Sequence, residues 1–235
     1  MNTEITRPRP PRPARRRRWP RRLLIGVVAL AALIVVGTWA FVKLQPTQAP
    51  LALPTTAAQA PAGPLDGTWS VSAGTAGFRV PETALGISND VVGRTSAVSG
   101  ALAISGDRVT SAAFRVGLAA VKVSGKTQPQ LATSLHTGRF PVATFTLASP
   151  AAFGASLGTG GTVTVTAAGQ LSLNGLTRPV TLTVSARRDG ASLEITGTIP
   201  VAFSRWDIEG PAGLGFLGSL ADHGQAEFLL TLHHT

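Results

Sequence analysis

Leu171–Val184 reads LSLNGLTRPVTLTV, and these fourteen residues decide the fold class. Leu171 and Leu173 alternate with Ser172 and Asn174, and Val180, Leu182 and Val184 alternate with Thr181 and Thr183. Period two with one apolar face is the pattern of a half-buried antiparallel strand. Asn174-Gly175 between the two runs supplies the positive φ values that a tight hairpin needs. The same rule extends in both directions. Val163 and Val165 precede the hairpin, and Leu193 with Ile195, Val201 with Phe203, and Phe228, Leu230 and Leu232 follow it. Asp189-Gly190 joins a third consecutive run into a meander, and Gly106-Asp107 marks an earlier turn.

One segment breaks the pattern. Thr127–His136, TQPQLATSLH, places Leu131 and Leu135 at i and i+4 behind an early proline, which predicts a short helix of about two turns. The glycine-rich stretch 210–224, GPAGLGFLGSLADHG, reads as a long irregular loop with apolar tips. Many short antiparallel strands leave a closed barrel or a sandwich as the architecture.

The N-terminal fifth of the chain is of a different kind. The formal net charge of +10 resembles that of a nucleic-acid binder until it is located. Nine arginines lie before Leu23 and only Glu4 opposes them, so residues 1–22 form a basic tail and the rest of the chain is nearly neutral. The tail abuts Leu23–Val42, LLIGVVALAALIVVGTWAFV, which carries no charge. Its 20 residues would span about 30 Å as a helix, the thickness of a hydrocarbon core. Trp19 and Trp39 fall near the two interfaces, and the cationic excess on the N-terminal side predicts that this side stays in the cytoplasm. A cleaved signal peptide would have a shorter apolar run followed by a small-residue site, so an uncleaved anchor is the expectation. Residues 43–64 contain Pro46, Pro50, Pro54, Pro61 and Pro64 and read as a proline-rich spacer reaching at most about 60 Å. The globular domain is then 65–235, outside the cytoplasm and tethered to the cell membrane.

The chain has no cysteine, which excludes disulfides, thiolate metal sites and cysteine nucleophiles. None of the four histidines sits at metal-ligand spacing, and no serine lies in a nucleophile elbow. His136 is expected at a solvated helix end. Asp207 and Glu209 flank Ile208 and would share a face if that segment were a strand; at a loop start, solvation explains them better than acid–base chemistry. No catalytic residue, cofactor or metal is expected, and no nucleic-acid partner.

Several segments together resemble the YceI-like family. They are Leu65-Asp66-Gly67-Thr68-Trp69, Gly77-Phe78-Arg79-Val80, Val92-Gly93-Arg94-Thr95, Val98-Ser99-Gly100, Arg139–Phe145 (RFPVATF) and Leu171–Val180 (LSLNGLTRPV). The resemblance covers Leu65–Leu232 and implies an all-β, antiparallel, lipocalin-like barrel with one short helix. It also implies binding of a long apolar chain such as a polyisoprenoid, and does not imply an established enzymatic activity. Where the family often has an Arg-Asp pair entering the helix, this chain has Pro129-Gln130.

The expectation is therefore a membrane-tethered, extracytoplasmic binding protein whose partner is a lipid- or isoprenoid-like small molecule. The alternative is a structural or adhesion β-domain with a filled core. Among the domain's scattered aromatic residues, Phe140, Phe145 and Trp206, with Leu131 and Leu135 of the helix, are expected to form the wall and lid of a cavity.

Overall fold

The computed structural model describes residues 48–84, 87–210 and 218–235. The expected basic tail and membrane span, 1–22 and 23–42, lie outside the described residues. No helix among the described residues is long and apolar enough to cross a membrane.

Twelve strands among the described residues carry the fold. They are β1 (Gly67–Ala84), β2 (Ile87–Thr95), β3 (Val98–Ser105), β4 (Arg108–Gly117), β5 (Lys122–Val123), β6 (Val142–Leu147), β7 (Ala151–Ala152), β8 (Val163–Leu173), β9 (Leu176–Asp189), β10 (Ser192–Ala202), β11 (Gly218–Leu220) and β12 (His223–His234). Antiparallel pairing runs β1–β3–β4–β6–β8–β9–β10–β12, and β12 returns to β1 through Trp69↔His234 to Arg79↔Gln225. The sheet is therefore a closed eight-stranded barrel, which leaves no free edges along the ring. Closure depends on the length of β1. Its first residues pair with β3 (Gly67↔Ile104), and its second half pairs with β2 (Ala76↔Thr95 to Ala84↔Ile87).

The meander read from the alternating runs is β8–β9–β10. Its first turn has Asn174 at φ 51° and Gly175 at φ 76°, and Gly190 at φ 57° opens the second. The helix, α1, spans Pro129–Ser134 with the proline in its first turn, shorter than the segment TQPQLATSLH allowed. The loop expected over 210–224 is interrupted: Gly218–Leu220 pair with Thr83 and its neighbours in β1, and β12 begins at His223. Residues 211–217 lie outside the described residues.

One end of the barrel is closed. Trp69, Leu157, Leu193 and Leu232 are essentially inaccessible there and pack in one cluster, with Leu157 delivered by a 3₁₀ turn at Ala155–Thr159. The Trp69 indole N–H donates to the Leu65 carbonyl oxygen at 2.8 Å. Arg188, opposite Leu193 in the β9–β10 register, lays its guanidinium over the Trp69 ring at 5.0 Å and donates to the carbonyl oxygens of Ala62 and Gly190. Burial lowers the pKa of this guanidinium from its ordinary value.

The segment 48–64 departs from the free spacer expected of it. It has no regular secondary structure, as its prolines dictate, but it lies along the outer wall as a strap. Gln48 accepts from Arg79 at 2.7 Å, and Leu51 donates to Glu227 and accepts from Thr196. Thr56 accepts from Arg187 at 2.9 Å. Gln59 donates to the Asp189 carboxylate at 2.7 Å, and Ala62 donates to Gly190 at 2.9 Å. Beneath the strap Arg79 meets Asp90 at 2.8 Å, Arg94 meets Glu227 at 2.7 Å, and Arg187 meets Glu194 at 2.7 Å. These charged groups are on alternate positions to the apolar ones, so the strap, not the core, removes them from water.

Candidate functional site

Alternation along the strands sends one set of side chains to the barrel axis. Val163, Leu182, Val184, Ile195, Phe228 and Leu230 all belong to the apolar runs of the sequence, and all line an internal cavity of about 660 Å³. That volume lies in the range of small-molecule and cofactor sites. From Leu193 to Val201 the lining follows β10 for about 26 Å at the usual strand rise. The floor is the Trp69–Leu157–Leu193 cluster. The opposite end, where α1 and the segments around Ile208 and Leu220 contribute lining, is the mouth.

The floor and the wall are set by close packing. Phe145 on β6 lies against Gly169 on β8, where an added Cβ would fall 2.2 Å from the ring. The missing side chain at Gly169 is what lets the Phe145 ring occupy the wall. Phe114, opposite Phe145 in the β4–β6 register, also lines the cavity.

Leu131, Leu135 and Phe145 line the cavity, and Leu135 is almost fully buried. Phe140 and Trp206 are not among the lining residues. Phe140 packs on the β8–β9 turn, where its ring occupies the space a side chain at Gly175 would need, and the Arg139 guanidinium lies over the ring at 5.1 Å. Trp206 is buried in the wall with Leu171, Val180, Leu182 and Ile199. Asn174 ties the two regions together. Its amide donates to the carbonyl oxygens of Trp206 at 3.0 Å and Asp207 at 2.8 Å, and its oxygen lies 3.0 Å from His136 Nδ1. His136, exposed just past the end of α1 as expected, also braces the turn at Asn174-Gly175.

Other lining residues escaped the sequence reading. Leu157 and Phe153 reach the cavity from irregular connections with no period to reveal them. Gln128, Gln130 and Ser134 face the mouth from α1 and its approach, on a segment whose leucines carried the only apolar signal.

Asp207 and Glu209 are not on a strand. Asp207 ends a 3₁₀ turn at φ 52° and Glu209 follows at the mouth, both exposed. Among the described residues no group of three His, Asp or Glu side chains is placed to hold a metal ion.

The model of the YceI-like domain matches residues 68–231. Two solved structures share the fold. One is a polyisoprenoid binding domain from Saccharophagus degradans implicated in plant cell wall breakdown, at 17% identity and a TM-score of 0.54, covering 71% of this chain and 98% of that one. The other is BcnA of Burkholderia cenocepacia, at 18% identity and a TM-score of 0.50, covering 66% of this chain and 95% of that one. No curated protein matches the chain.

Proposed function

The chain belongs to the YceI-like family, and on that premise we propose that its barrel binds the long apolar part of a lipid-like molecule, such as a polyisoprenoid, and holds it out of water. The observation that carries this reading is the cavity: about 660 Å³, enclosed by aliphatic and aromatic side chains and open at one end. A structural module with a filled core would close that space, since protein interiors normally pack to crystal-like density. The polyisoprenoid-binding domain that shares the fold supports the same ligand class.

The energetics suit a chain that binds without a charged grip. Each methylene withdrawn from water contributes about 0.8 kcal/mol. A tail filling the barrel withdraws many methylenes at once, and this gain is set against the cost of ordering both partners. The role is sequestration or hand-off, not catalysis. In this reading residues 23–42 anchor the protein in the cell membrane, the arginine-rich tail stays in the cytoplasm, and the barrel sits on the other side, beside the bilayer that supplies the ligand.

A titration with a fluorescent long-chain isoprenoid tests the binding role. Saturable uptake is expected, and Leu135→Trp, which places an indole in the lining, is expected to lower it. No saturable uptake by the folded protein would return the barrel to a structural role.

A further inference from the structure

The strap has a direction along the barrel. Its last residues are at the floor, where Ala62 donates to the Gly190 carbonyl oxygen and accepts from Arg188. Its first residues are near the mouth. Gln48 accepts from Arg79 and Ala49 from Arg94, beside the pairs Arg79↔Gln225 and Gly77↔Glu227. Gln225 is two residues from the mouth end of β12 at His223 and nine from its floor end at His234. The described chain therefore begins against the mouth half of the wall and runs towards the floor.

That direction limits which end can meet a bilayer. Six residue steps separate Val42, the end of the uncharged run, from Gln48, and fully extended they reach at most about 22 Å. With the floor on the bilayer the chain would climb nine residues of β12, about 30 Å along the strand and still about 22 Å along the axis at the usual barrel tilt. It would also cross the polar layer of the bilayer, about 6 Å thick, and so exceed its reach. With the mouth on the bilayer the climb along β12 is two residues, about 7 Å. A second sign lies on the same side of the mouth. Lys122 is opposite Arg94 in the β2–β5 register, and Val123↔Lys126 closes a hairpin whose tip, Ser124-Gly125, has positive φ at both residues. Val123 lines the cavity, while Lys122, Ser124, Gly125 and Lys126 are exposed. The exposed carboxylates of that end, Asp207, Glu209 and Asp222, belong to the connection between β10 and β12.

We infer that the open end of the barrel is the surface that docks on a lipid bilayer, with the β5 hairpin on its headgroups, and that the bilayer is the one in which the chain itself is anchored. This rests on the membrane anchor proposed above and adds which face of the domain the membrane takes. The reach of residues 43–47 turns the mouth to the bilayer, and the Lys122 and Lys126 ammonium groups hold it there by attraction to anionic headgroups. An apolar tail then passes between leaflet and cavity without exposing its methylenes to water on the way.

The chain has no cysteine, so a single substitution carries a single label. Ser124→Cys at the β5 hairpin and Ala191→Cys at the floor turn, both exposed positions, are labelled with the same donor dye in the full chain. Each protein is reconstituted in nanodiscs of phosphatidylcholine and phosphatidylglycerol with an acceptor dye on a small share of the headgroups. The two labels should differ in height by more than about 20 Å, and energy transfer from Ser124→Cys is expected to be at least about twofold more efficient than from Ala191→Cys. Equal transfer, or stronger transfer from Ala191→Cys, overturns the inference and leaves the anchor and the lipid-binding reading intact. When about twenty glycine and serine residues are inserted before Gln48 and Lys122→Glu/Lys126→Glu is added, the two efficiencies are expected to converge. An unchanged ratio there also overturns the inference, because neither chain reach nor the lysines would then orient the barrel. A folded chain recovered outside the nanodiscs removes the proposed anchor and this inference with it, but not the lipid-binding reading.

Discussion

The backbone N–H of Leu51 donates to Glu227 Oε2 at 3.0 Å across 176 residues of sequence. Glu227 is 1% exposed and also meets Arg94 and Arg79, so a carboxylate on the outer face of β12 is as buried as the barrel floor. The segment that buries it is the proline-rich strap, which makes residues 48–64 part of the folded domain.

Removing that carboxylate leaves Arg94 without its ion-pair partner under the strap, while Arg79 keeps Asp90. Loss of one partner from a buried ion pair typically costs about 3–5 kcal/mol. Glu227→Gln is expected to lower the urea midpoint accordingly, and Glu82→Gln, on the same barrel but outside the cluster, to leave it within about 0.5 kcal/mol. Equal midpoints for the two variants would show that the strap cluster contributes nothing to stability.

Truncation tests the strap itself. A chain starting at Leu65 exposes Arg79, Arg187 and Glu227 together and loses the acceptors at Gln48, Thr56 and Ala62. It is expected to keep a β-dominated circular dichroism spectrum, since the barrel closes without the strap, but to unfold at lower urea than a chain starting at Gln48. Indistinguishable unfolding curves would mean that the strap is only laid on the surface.

The wall offers a test of the cavity. In Gly169→Val the new side chain must displace the Phe145 ring, and overpacking of this kind costs about 1–3 kcal/mol. Uptake of a long-chain probe is expected to fall together with stability. Asp207→Asn alters an exposed carboxylate that lines no part of the cavity, and its uptake is expected to match the natural chain. Loss of uptake in Asp207→Asn alone would point to polar chemistry at the mouth in place of an apolar interior.

The floor makes a separate prediction. Trp69 is fully buried, donates to Leu65 and carries Arg188 on its face. Trp69→Ala is expected to lose about 3–5 kcal/mol, read as a lowered urea midpoint. A change below about 1 kcal/mol would show that the floor collapses around the vacancy without penalty.

Much of the barrel was legible because its strands obey period two. Leu171–Val184 and the runs around Ile195 and Leu230 show their inward faces directly, and Asn174-Gly175 fixes the hairpin between two of them. The eighteen residues of β1 were less readable, since glycines, Pro81 and an irregularity between Val71 and Ala73 interrupt the alternation. The strap was hidden for a physical reason. Proline-rich composition reports only that a segment makes no regular structure, and beyond Arg79 and Arg94 its partners lie 126 to 176 residues away at Arg188, Arg187, Asp189, Thr196 and Glu227. Nothing in the sequence marks Arg188 and Glu227 for burial, because burial of an ionised side chain depends on what covers it, which composition does not record. The lining was legible where it lay on strands or on α1 and its C-cap, as for Phe145, Leu131 and Leu135. Phe140, just before β6, and Trp206, in a 3₁₀ turn, have no strand phase to aim them, and they pack on the turn at Gly175 and in the wall.

The proposed membrane placement is tested by protease added to intact spheroplasts. The C-terminal domain is expected to be removed and the arginine-rich tail protected. A protected C-terminus would reverse the proposed orientation.

The measurement closest to the central claim is photo-crosslinking with an isoprenoid alcohol that carries a diazirine at the far end of its tail, followed by peptide mapping of the labelled full chain. A tail held in the barrel reaches the floor, so labels are predicted at Leu157, Leu193 and Phe153, suppressed by excess unlabelled alcohol and reduced in Leu135→Trp. Labels confined to the outer wall or to residues 23–42, or labelling at the floor that excess alcohol does not suppress, would contradict a barrel that binds an apolar chain inside.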